Sequence, residues 1–168
     1  KAEKKAAAPA AKKAAADIKL GQYEDKELGF SLAYPADVFT VENELEGNAV
    51  LFRQHAQQVP SLVIRVEEIP AGIALDQIGE WFLADFKAAN PQSDRFKIVE
   101  SKMAKLKTGV DANQTLMKWR YQGAVPVYTA VVSAYKNNKA ILVLTTSVPG
   151  QPATDVLMQM AMALKVIP

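Results

Sequence analysis

The stretch Leu75 to Ala89, LDQIGEWFLADFKAA, is the one long segment that reads cleanly as an amphipathic helix, and extended runs lie on both sides of it. Leu75, Ile78, Phe82 and Phe86 recur at spacings of three and four and so share one face, with Trp81 and Ala89 beside the stripe. Asp76, Glu80, Asp85 and Lys87 fall largely on the other side. The helix is expected to end near Asn90, because Pro91 restricts the residue before it and cannot join a helix interior. The extended runs on either side of this helix need something like it to cover them.

The extended runs are read from alternation. Leu28 to Pro35 presents Leu28, Phe30, Leu32 and Tyr34 on one face and ends at a proline turn. Val38 to Val41, Ala49 to Arg53 and Ser61 to Glu67 follow as short strands, with an acidic patch at Glu42, Glu44 and Glu46 and a turn at Gly47 and Asn48. After the helix, Phe96 to Val99 is extended, and residues 101 to 109 continue so before turning. There Lys102, Lys105 and Lys107 read as a solvated edge at which lysines discourage association. Gln114 to Tyr121, Pro126 to Tyr135 and Ala140 to Ser147 form an antiparallel meander with short turns. Pro149 to Pro152 breaks the pattern. A second helix runs from about Ala153 to Leu164, with Leu157, Met160, Ala161 and Leu164 as its stripe. Met117, Met158, Met160 and Met162 read as core filler before they read as an adaptable groove.

With 168 residues and 49% hydrophobic composition, the chain suffices for one ordinary domain. Residues 1 to 17, rich in Ala, Lys and Pro, are expected to be a flexible tail or spacer, and residues 18 to 168 a single domain. Of the 20 Lys and Arg and 18 Asp and Glu, six Lys and two acids lie in residues 1 to 20, so the basic balance belongs to the tail. A body near neutrality gives no reason to expect a nucleic-acid partner. No apolar run is long enough to span a bilayer, although the basic tail allows a weak peripheral or tethered membrane association. A chain that opens on this spacer without an initiating Met is expected to be a processed, exported protein.

The search for chemistry assigns no catalytic, cofactor-binding or metal-ligating residue. His55, the one histidine, lies between two strands without a second His or any Cys. Glu67 and Glu68 point to opposite faces of a strand, and Asp76 and Glu80 share the solvent face of the helix. Neither a nucleophile elbow nor a phosphate-binding glycine loop occurs, and no cofactor is expected. These residues argue against an enzyme more than for one. Trp119 and Tyr121 share a strand face with Met117, which reads as core packing.

The order of elements resembles the PsbP-like and DcrB-like family, whose fold is shared with a eukaryotic nuclear-transport factor acting on the Ran GTPase. The opening strand Gly29-Phe30-Ser31-Leu32-Ala33-Tyr34-Pro35 is followed by Asp37-Val38-Phe39. Then come a strand ending in Ile69-Pro70, the helix with Leu75, the hairpin from Ala124 to Ser147 and the closing helix. The resemblance implies an α/β/α sandwich with a central, largely antiparallel sheet covered by helices on both sides. It also implies a non-enzymatic periplasmic or envelope accessory or assembly protein that binds another protein, since bacterial members are often secreted or lipid-anchored. Photosynthetic relatives sit in the thylakoid lumen. Two other readings stay open: a small-ligand-binding protein or uncharacterised hydrolase of the same compartment, and a cytoplasmic protein-binding adaptor. Partner identity and oligomeric state are not legible. Deleting residues 1 to 17 is expected to leave the thermal midpoint within about 5 °C of the full chain, and a larger fall would show that the tail packs on the body.

Overall fold

A computed structural model describes residues 19–44, 48–55, 60–148 and 154–168. Residues 1–17 of the expected spacer, Glu46 of the expected acidic patch, Gly47 of the expected turn and the expected breaker at 149–152 lie outside the described residues. The elements run β1 (Leu20–Asp25), β2 (Phe30–Pro35), β3 (Phe39–Glu44), β4 (Ala49–Gln54), β5 (Pro60–Glu68), a 3-10 turn (Leu75–Gln77) and α1 (Ile78–Ala89). They continue with β6 (Asp94–Lys105), β7 (Asp111–Tyr121), β8 (Val125–Lys136), β9 (Lys139–Ser147), α2 (Thr154–Met162) and β10 (Lys165–Val166).

Seven strands form one antiparallel sheet in the order β3-β4-β5-β9-β8-β7-β6. The chain lays down β3 to β5 as one meander, crosses through α1 to the far edge, and returns from β6 to β9 as a second. The two meanders meet where β5 pairs with β9, with Ile64 opposite Val143. β8 and β9 are central and carry unbroken buried runs, Thr129 to Ala134 and Ala140 to Thr145. Such strands need cover on both faces.

Alternation along the strands sorts that cover. On one face Met117, Val131, Leu142 and Leu144 pack with Ile78 and Phe82 of α1. On the other, Phe52, Leu62, Ile64, Val132, Ile141 and Val143 pack with α2 through Leu157, Met160 and Ala161, and with Phe30 and Leu32 of β2. The second face is therefore covered by a helix together with a small three-stranded sheet, β1-β2-β10. The architecture is the expected sandwich, with that small sheet sharing the work of α2. Tyr23 and Tyr34 meet Phe52 edge-on at centroid distances of 6.0 and 5.3 Å, so the small sheet sits over the β3-β4-β5 side. All three methionines of α2 belong to this core, Met160 buried and Met158 and Met162 partly so, as filler rather than as a groove.

The helix end follows from its sequence. Asn90 donates its side-chain amide to Phe86 O at 2.7 Å and its backbone N–H to Lys87 O at 3.2 Å, immediately before Pro91. The first turn of the expected helix is instead the 3-10 turn, where Gln77 accepts from Ala74 N through its side chain at 3.3 Å. Next to it, Gly79 brings the helix backbone down onto β7. A Cβ there would lie 2.2 Å from Thr115 Oγ1 and 3.0 Å from its Cγ2. Thr115 cannot easily yield, because it is buried and donates to Asn113 Oδ1 at 2.7 Å.

Gly79→Ala is therefore expected to destabilise by about 1–3 kcal/mol through overpacking. The intrinsic helix preference alone predicts a gain of about 1 kcal/mol. Urea unfolding reads the sign directly. The double variant with Thr115→Ala should lose less than the two single losses together, and a Gly79→Ala chain more stable than the parent would refute the close seating of α1.

Candidate functional site

The residues with catalytic potential are dispersed. His55 is exposed at the end of β4, with its backbone N–H on Val38 O at 2.9 Å. Among the described residues no three His, Cys, Asp or Glu side chains are grouped so as to hold a metal ion. Asp76 and Glu80 are exposed on the helix side turned to solvent. Glu67 and Glu68 fall on opposite faces of β5, and Glu68 is exposed.

Glu67 lies half-buried on the α1 face in an ion pair with Arg65. Burial pushes its carboxyl above the ordinary range, while Arg65 pulls it back and Asp85 of α1 pushes it further up. Burial likewise raises the Tyr135 hydroxyl, with Asp76 adding to the effect. That hydroxyl donates to Ile73 O at 3.0 Å and ties the loop before α1 to the sheet. Beside it lies a concavity of about 340 Å³ lined by residues 69–73 with Tyr135, Asn137 and Asn138. Across the β8–β9 turn a smaller one, about 190 Å³, is lined by Glu27, Leu28 and residues 136–139. Both are shallow and framed by turns.

The other end of the sheet is different in kind. β6 is its outer strand, and among the described residues nothing pairs with its outer side. Its pairing with β7 is irregular between Asp94 and Lys97 and between Ile98 and Glu100, then regular from Glu100 to Lys105. Val99 and Met103 are each 52% exposed, a high value for large apolar side chains in a strand. On the face opposite α1, cover reaches only part of β7: Gln114 touches Met158 of α2, whereas Lys118 is exposed and Leu116, Arg120 and Tyr128 are half-buried. Lys97 stands directly opposite Lys118 in register, and Arg120 follows on the same face opposite Asp94. Lys118 Nζ lies 5.6 Å from the centroid of the Tyr128 ring. Lys102 holds Glu100 at 2.9 Å along the edge.

On the α1 side of the same edge an aromatic cluster runs outward. Phe82 stacks on Phe86 at 5.6 Å, Phe86 meets Trp119 edge-on at 5.4 Å, and Phe96 stacks on Trp119 at 5.8 Å. Trp119 is buried and donates its indole N–H to Thr129 Oγ1 at 3.0 Å. Tyr121 continues the row into solvent. Trp119 is thus core, as the shared strand face predicts. The exposed corner was missed because only the pairing register reveals it.

The solution structure of cyanobacterial PsbP (CyanoP) from Synechocystis superposes with a TM-score of 0.69 at 14% identity, over 91% of this chain and 95% of that one. The chain has a PsbP-like fold. Weaker likenesses reach a protein from Bacteroides thetaiotaomicron, TM-score 0.49 and 16% identity over 83% of this chain and 45% of that one. Another reaches a Pseudomonas aeruginosa protein of unknown function, TM-score 0.46 and 15% identity over 78% of this chain and 97% of that one. No family model and no curated relative matches the sequence. The fold expectation is met through the first of these structures, with the sheet, α1 and α2 in the expected places.

The raised Glu67 carboxyl has a defined consequence for stability. A folded state that favours the protonated form loses stability as pH rises from the ordinary carboxylate value, 4.5, through the higher folded one. Relative to Glu67→Gln, the parent chain should therefore become less stable as pH rises across the acidic range. Denaturation midpoints of the two proteins at matched pH test this, and curves that stay parallel would contradict it.

Proposed function

We infer that this chain is a non-enzymatic accessory or assembly domain of the bacterial cell envelope that works by binding another protein. The observation that carries the reading is the open β6 edge: a strand with no outer neighbour among the described residues, exposed Val99 and Met103, and a sheet face beside it that α2 leaves in part uncovered. Exposed apolar side chains gathered beside polar ones mark an interaction surface better than a reaction site. The PsbP-like fold supports the setting, since the resemblance implies exported accessory proteins, and the Ala, Lys and Pro composition of residues 1 to 17 suits a spacer. Among the described residues no helix is long and apolar enough to cross a membrane, so attachment through the spacer is the form of membrane association the reading uses.

A small-ligand role would fall to the concavity beside Tyr135. Its lining offers the amides of Asn137 and Asn138, but it is shallow, is built mainly from a loop, and has its Tyr135 hydroxyl already donated to Ile73 O. That reading ranks second for this reason.

Affinity capture with the tagged full chain from its own organism's envelope, washed at low and then at physiological salt, tests the proposal. A partner retained in stoichiometric amount through both washes is the expected result. Recovery of the chain alone would contradict a protein-binding role.

A further inference from the structure

The β6 corner carries a second peculiarity. Like charges directly opposite one another in a sheet repel, yet Lys97 faces Lys118, and Arg120 extends the row. Asp94, opposite Arg120, Glu100, held by Lys102, and Asp111, paired with Lys105 opposite it, are the acids along this edge, against Lys97, Lys102, Lys105, Lys118 and Arg120. The surplus is positive and stands on a face open to solvent. Uncompensated cations at the rim of a sheet weaken the pairing they belong to unless an anion from outside completes them.

We propose that β6 is the docking edge for an extended acidic segment of a partner protein, which adds to the sheet as its eighth strand. The proposal rests on the protein-binding reading and names the chemistry of the partner. An added strand would find regular backbone from Glu100 to Lys105. Its side chains alternate between faces: carboxylates on one side meet Lys102 within the regular stretch and, beyond the irregularity at Ile98, Lys97 with Lys118 behind it on β7, and apolar groups on the other lie against Met103, which shares the α1 face with its partner Asn113. Other occupants fit less well. A second copy brings its own positive surplus: paired antiparallel about Ser101 it sets Glu100 opposite Lys102 but Lys97 opposite Lys105, so the excess of cations is doubled rather than completed. Residues 1 to 18 of the chain carry five Lys against two acids and would be repelled. An anionic bilayer would satisfy the charge but would leave the edge amides unpaired.

The test uses the isotope-labelled full chain, titrated at low salt with a synthetic peptide of alternating glutamate and valine, the same peptide with lysine for glutamate, and phosphatidylglycerol vesicles. Amide shifts locate binding, and hydrogen exchange reports pairing. The proposal expects the acidic peptide to shift β6 and β7 and to slow exchange at Glu100 to Lys105. Lys97→Glu/Lys102→Glu should weaken binding at least about tenfold, and Glu100→Lys should tighten it. The lysine peptide should not bind. No shift up to millimolar peptide, equal binding of both peptides, or vesicle binding with no peptide protection of β6 would each overturn the proposal. The two readings fail separately: if the double variant still captures the envelope partner undiminished, the acidic-strand proposal falls while the protein-binding reading stands.

Discussion

Strands β8 and β9 are apolar toward both faces, and a sheet with such a centre is stable only if two separate layers exclude water from it. Val131, Leu142 and Leu144 turn to α1, while Val132, Ile141 and Val143 turn to α2 and the small sheet. Each fully buried aliphatic side chain of this kind contributes roughly 1.5–3 kcal/mol relative to exposure. Neither layer is therefore optional. α1 is also the crossover joining the two meanders, so its seating on Thr115 through Gly79 fixes both the cover and the topology.

The cover is economical and uneven. α1 lies over the β6 to β9 side of its face, and the aromatic cluster of Phe82, Phe86, Phe96 and Trp119 closes the space below its C-terminal half. On the opposite face the small sheet sits over β3 to β5 and α2 over the centre, which leaves the outer part of β6 and β7 open. The open corner is thus a geometric remainder: two helices and three short strands cannot span seven strands. Its lysines and exposed apolar side chains are what turn that remainder into a candidate surface.

Much of this was legible in the sequence because burial on one side imposes a period. The helix was readable from the spacing of Ile78, Phe82 and Phe86 and the stop at Pro91, and the last three strands from their alternation and short turns. β1 was not assigned as a strand, since in LGQYED only Tyr23 packs on the core, and β10 is two residues that depend on pairing with Phe30 and Ser31. β6 could be read as extended chain with an edge-like lysine content, but its length and its place were not readable: an exposed edge strand has few buried residues to mark a period. The opposition of Lys97 and Lys118 was beyond reach, because two irregularities in the pairing set it.

Everything proposed about partners depends on β6 being an open edge in the free chain. Native-state hydrogen exchange of the full chain measures that condition most directly. The account predicts that amides of β8 and β9 exchange only through global unfolding, while the outward-pointing amides between Glu100 and Lys105 exchange rapidly under native conditions. Outward amides of β6 protected as strongly as those of β8 would contradict it, for the edge would then already be closed.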